Sequence, residues 1–131
     1  IMDKVQQNGV DHEEQNEKIS SRLKYWIKKY YCEISNIAYV LDIEEDKIQD
    51  LIENDRILDI FYIQLLNIGG CNTKWLYQGK GDELEENVAG GFLKVNQNYC
   101  EKGVVETMDK IVLETIKKRI SKEIKEIKND K

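Results

Sequence analysis

The sequence predicts an all-α protein in which five short helices form one domain, followed by a linker and a long amphipathic C-terminal helix. Three observations carry this. Apolar residues between Leu23 and Leu76 recur three and four positions apart, the spacing of helices that each bury one face. The runs break at Asp42, at Asn54 and at Gly69-Gly70 in a chain that has no proline, and these residue types tolerate the backbone conformations of helix ends. Beyond residue 103 one apolar stripe, Val105, Met108, Val112, Ile116, Ile120, Ile124 and Ile127, advances by three or four throughout, with Lys and Glu between its members.

Residues 1–19 are polar, without a periodic apolar face, and are expected to form a flexible leader. The five-helix domain is placed at 20–81. Ser20 or Ser21 can cap the first helix, whose Leu23, Trp26, Ile27 and Tyr30 share a face. Ile34, Ile37, Ala38 and Leu41 define the second, which Asp42 ends, and Ile48, Leu51 and Ile52 define the third, which Asn54 ends. The fourth, from Ile57 to Leu66, is apolar on more than one face and stops at Gly69-Gly70. Thr73 caps a fifth, containing Trp75 and Leu76 and closed by Gly79-Lys80-Gly81. Trp26 and Trp75 have apolar neighbours at helical spacing and are expected in the core. Residues 82–103 read as a linker in which Phe92-Leu93-Lys94-Val95 can form a short strand. The helix from Val104 to about Lys128 needs a partner for its isoleucine stripe, and residues 104–131 are assigned to dimerisation or docking. Glu114, Glu123 and Glu126 among its lysines favour this over a nucleic-acid or membrane surface.

Composition narrows the functional classes. With 34% charged and 40% hydrophobic residues, the chain reads as globular, and it has neither a membrane-length apolar run nor a signal-peptide pattern. A cytoplasmic protein is expected. Cys32, Cys71 and Cys100 are unpaired in number and widely spaced, so they read as reduced thiols rather than a disulfide framework or zinc site. His12, the single histidine, lies in the polar leader, and no phosphate loop or nucleophile-and-base pair is present. Neither an enzyme, a cofactor nor a metal is expected.

The stretch Ile37-Ala38-Tyr39-Val40-Leu41-Asp42-Ile43 and the ending Trp75-Leu76-Tyr77-Gln78-Gly79-Lys80-Gly81 resemble the lambda-repressor-like helix-turn-helix domains of phage CI-type repressors and of small Cro- and Xre-type bacterial regulators. The likeness spans residues 22–81. It implies that Ala38 lies where helices two and three cross and that the protein is a regulator binding duplex DNA as a homodimer. It also implies that Glu44, Glu45, Lys47 and Gln49 face bases, while Lys28, Lys29, Arg56 and Lys74 hold phosphates. Asp42 stands where such domains carry a turn glycine, and Ile34 where a phosphate-contacting Gln is frequent.

Charge pulls the other way. From Glu44 to Asp55 there are six acids and one lysine, and each net charge about 8 Å from a phosphate costs on the order of 0.5 kcal/mol in water. Glutamate can accept from cytosine N4 and Gln49 can pair with adenine, so readout is chemically open provided that cations elsewhere compensate. The alternative is a protein-interaction module, an antagonist or adaptor, whose acidic third helix binds a basic protein partner.

Overall fold

Leu23, Trp26, Ile27, Tyr30 and Tyr31 occupy one face of the first helix, and all five are buried. That helix begins a computed structural model that describes residues 18–54, 59–96 and 108–130. In order, the helices are α1 (Ile19–Tyr31), α2 (Ile34–Leu41), α3 (Glu45–Glu53), α4 (Ile60–Ile68), α5 (Thr73–Gln78), α6 (Val88–Asn96) and α7 (Lys110–Asp130). No strand occurs among the described residues, where β-structure is limited to one antiparallel bridge between Cys71 and Leu84. None of the described helices is long and apolar enough to cross a membrane. The polar leader before Lys18, Arg56, Val105 and the expected helix start at Val104 lie outside the described residues.

Two layers share one core. α1 packs on α2, α3, α5 and α6, and α7 lies across α2, α4 and α6. Trp26, Tyr31, Ile37, Leu41, Leu65, Leu76, Leu93, Ile116 and Ile120 meet between them with almost no exposed surface. Each such side chain contributes about 1.5 to 3 kcal/mol through burial. Trp75 is buried as its spacing predicts.

The helix ends differ from the sequence reading in instructive ways. α1 starts at Ile19 without a side-chain cap, so neither Ser20 nor Ser21 has that role, and Ser20 is buried in the first turn. Asn72, not Thr73, caps α5, accepting from the Lys74 N–H at 3.2 Å. α2 and α4 end alike. In α4 the Gly70 N–H donates to Asn67 O and the Cys71 N–H to Leu66 O, with Gly70 at φ 103°. In α2 the Asp42 N–H donates to Tyr39 O and the Ile43 N–H to Ala38 O, with Asp42 at φ 56°. This paired closure satisfies terminal carbonyls and ordinarily uses glycine.

The segment expected as a linker with a strand folds differently. Residues 88–96 are helical because the Asn87 side chain caps the Gly90 N–H at 2.8 Å and because Ala89, Phe92 and Leu93 fall on one helical face, Ala89 and Leu93 fully buried. Gly90 is required by a close approach: a Cβ there would lie 1.8 Å from the Glu85 carbonyl oxygen. The cysteines need correction too. Cys71 is a free buried thiol, but Cys32, at φ 72° in the turn after α1, is disulfide-bonded; Cys100 lies outside the described residues.

The isoleucine stripe assigned to dimerisation is used within the chain. Met108, Ile116, Ile120 and Ile124 are buried, joined by Leu113, while Val112 and Ile127 are partly buried at the edge. Opposite this stripe Ile111 is 71% exposed. A helix of 21 residues has thus found its partner surface in α2, α4 and α6.

The two adjacent glycines of α6 give a sharp contrast in stability. Gly90→Ala should destabilise by several kcal/mol, since the added carbon collides with a backbone carbonyl. Gly91→Ala, where the added carbon meets open space, should stabilise by about 0.5 to 1 kcal/mol through helix propensity. Urea unfolding of both variants checks this, and equal losses in the two would refute the close-approach account.

Candidate nucleic-acid interface

α3 is held from behind and open in front. Ile48 and Leu51 are buried on the core side, whereas Glu44, Glu45, Asp46, Lys47, Gln49, Asp50 and Glu53 are exposed. Three residues, Asp42 to Glu44, connect it to α2, and Glu44 O accepts the Lys47 N–H at 3.1 Å to start the first turn. Ala38, beside this joint, is buried, and its small side chain lets the two helices approach. Glu45 and Asp46 fall in the first turn of α3, where carboxylates favourably meet the positive end of the helix dipole. Farther along, Gln49 Nε2 donates to Glu53 Oε2 at 3.1 Å, and Asn54 Nδ2 donates to Asp50 Oδ1 at 2.6 Å.

Two shallow depressions flank the α3 surface. Ile34, Glu45, Asp46, Gln49, Asp50 and Glu53 line one, and Lys28, Ile27, Ile34, Gln49 and Ile52 are among the lining residues of the other. Gln49 and Ile34 belong to both. Lys28 is therefore close to the base-facing candidates, and it is exposed.

The other cations predicted to hold phosphates have different surroundings. Lys29 points to Glu83, with Nζ 3.1 Å from Oε1, and donates to the Tyr25 hydroxyl at 3.0 Å. Tyr30 Oη donates to Glu83 Oε1 at 2.8 Å, Tyr25 Oη to Oε2 at 3.2 Å, and Trp26 Nε1 to the Glu83 carbonyl at 2.9 Å. Four consecutive-turn residues of α1 thus converge on one glutamate, which fixes the loop after α5. Lys74 is exposed on α5. Arg22 is buried and donates to Leu76 O at 2.5 Å and Tyr77 O at 2.9 Å. Its guanidinium closes the C-terminal end of α5, a place where a cation is favoured.

Sequence reasoning missed Glu83 and the structural use of Arg22. Glu83 is one of several acids in a row, and the only hint of its role is the polar edge of α1, Tyr25, Lys29 and Tyr30, which needs a partner. Among the described residues no group of three or more His, Cys, Asp or Glu is arranged to hold a metal ion. Comparison of the chain with protein-family models, with curated proteins and with solved structures gives no match.

Four groups around α1 are shifted upward. The hydrogen bond to Tyr25 raises Lys29, opposed by burial and aided by Glu83. Burial raises Tyr30, with the bond to Glu83 adding to it. Burial likewise raises Tyr31, whose hydroxyl donates to Gly69 O at 2.7 Å, and Cys71. A raised value in the folded state means that the unfolded chain releases its proton first, so the stability tied to these groups is intact at neutral pH and is lost as pH rises. The loss should begin as pH passes the ordinary thiol value of 9.0 and steepen beyond the ordinary tyrosine value of 10.0. Tyr31→Phe should start about 1 kcal/mol less stable at neutral pH, because Gly69 O loses its donor, yet show a shallower alkaline decline. Denaturant midpoints across a pH series read this out, and an unchanged decline would exclude Tyr31 as a contributor.

Proposed function

We propose that the chain is a cytoplasmic transcriptional regulator of the phage-repressor type, in which α2 and α3 form a helix-turn-helix and α3 enters the major groove of duplex DNA. The observation that carries this is the α2–α3 joint: a left-handed turn at Asp42 follows the buried Ala38, and α3 keeps its apolar side in the core while its outer side is open. Those features coincide with the residues through which the sequence resembles such regulators. Glu44, Glu45, Lys47 and Gln49 then face base edges, and Lys28 and Lys74 meet phosphates, with Arg56 as a further candidate. Lys29 is a weaker candidate than the sequence implied, since Glu83 engages it. Binding as a dimer requires an interface other than the α7 isoleucine stripe.

Fluorescence anisotropy with duplex DNA from upstream of the coding sequence and with a scrambled duplex, at several salt concentrations, tests this reading. Tighter binding to the upstream duplex, weakening as salt rises, is the expected result. Replacing Glu44 and Glu45 together by Gln should strengthen binding to unrelated duplex about twofold to fivefold. No gain would remove α3 from the groove.

A second reading, a protein-interaction module of the antagonist or adaptor kind, draws support from the internal use of Arg22 and Lys29, which leaves acids dominant around α3. Here the acidic face binds a basic protein. In a pull-down, the combined changes Glu44→Lys, Glu45→Lys and Asp46→Lys should release a basic partner that the unaltered chain retains; retention by the altered chain would count against it.

A further inference from the structure

We infer that α7 sets the position of α3 by fastening the turn that joins it to α2. Two lysines, 11 residues apart on α7, reach the same helix end. Lys117 Nζ donates to Tyr39 O at 2.5 Å and also stands 4.4 Å from the centre of the Tyr39 ring. Lys128 Nζ donates to Asp42 O and lies 3.2 Å from Asp42 Oδ2. Between these lysines Ile120 and Ile124 are buried, so the helix that carries them is anchored independently of the polar contacts.

Tyr39 O, which also accepts from the Asp42 N–H, and Asp42 O lie at the negative end of α2, where a cation gains from the helix dipole. Asp42 adds something that glycine could not. Its backbone adopts a left-handed conformation, φ 56° and ψ 51°, that glycine would accept at lower cost, but its carboxylate supplies the anchor for Lys128. Two residues later Glu44 is the N-cap of α3. A rotation about the Asp42 backbone therefore tilts α3 relative to α2, and α7 opposes that rotation from outside the pair. Lys117 and Lys128 are positioning residues. That their effect reaches a ligand rests on the proposal that α3 is the contacting helix, whereas the fastening itself does not.

Hydrogen exchange on the full chain separates the two. With Lys117→Met and Lys128→Met combined, which keep the apolar stems against the core, the Asp42 and Ile43 amides should exchange about threefold to thirtyfold faster. Amides in the central turns of α1, reporting global opening, should not change. In an Asp42→Gly background, Lys128→Met should accelerate Ile43 by a smaller factor than in the unaltered chain, because part of its anchor is gone. Equal acceleration in α1 and in the turn would reduce α7 to a general stabiliser and overturn the inference, as would no acceleration anywhere. If the turn responds as expected and no duplex binds, the brace stands and the DNA reading falls.

Discussion

Burial against two longer helices is the condition on which the rest of the molecule depends. α2 to α6 have between six and nine residues each, and isolated helices of that length do not persist in water. α1 collects α2, α3, α5 and α6 on one side, and α7 covers α2, α4 and α6 on the other. The chain gains its largest stabilisation where these two meet the short helices, through residues such as Trp26, Ile37, Leu93 and Ile120 with 1% or less of their surface exposed. Removing α7 would expose the opposite faces of α2, α4 and α6 together, so the C-terminal helix is as much part of this core as α1.

Within that frame the cations have a recurring task. Arg22 closes α5, and Lys117 and Lys128 close α2. In each case a positive side chain meets carbonyls at a helix C-terminus, the negative end of the helix dipole. Lys29 differs, since it joins a carboxylate, Glu83, that three aromatic residues of α1 also grip through the side chain or backbone. Four of the chain's 20 basic residues are thereby committed to internal geometry, which bears directly on what remains to meet a polyanion.

Much of the fold was legible because apolar periodicity reports burial without saying what does the burying. Leu23 to Tyr30, Ile37 to Leu41 and Ile48 with Leu51 announced α1, α2 and α3, and the structure places them in helices with those faces inward. The stripe from Met108 to Ile124 was equally plain, but the same spacing serves a second copy or the chain's own surface, and only the arrangement of α2, α4 and α6 decides between them. Phe92 to Val95 misled because their β-propensity and the preceding glycines suggested a strand; Gly90 in fact marks a close backbone approach inside a helix. Of the candidate site, the exposed face of α3 was readable from Ile48 and Leu51 alone. The fates of Arg22 and Lys29 were not, since each depends on residues more than 50 positions away.

If α3 reads DNA, its acidity changes the balance between specific and indiscriminate binding more than it forbids either. Repulsion between carboxylates and phosphates is present at every sequence, so it weakens the non-specific complex and the specific one by comparable amounts. A base contact is sequence-dependent: a glutamate accepting from cytosine N4, or Gln49 pairing with adenine, offsets the repulsion at the matching site alone. The ratio of specific to non-specific affinity is what decides occupancy in a large excess of competing DNA. A helix with acids at its groove-facing end and few uncommitted cations behind it sacrifices absolute affinity while preserving that ratio. Such a design places a stricter demand on geometry, because a small tilt of α3 loses the base contact and leaves the repulsion intact. Here the joint that fixes this tilt is a single left-handed aspartate, held in place by the helix that closes the core.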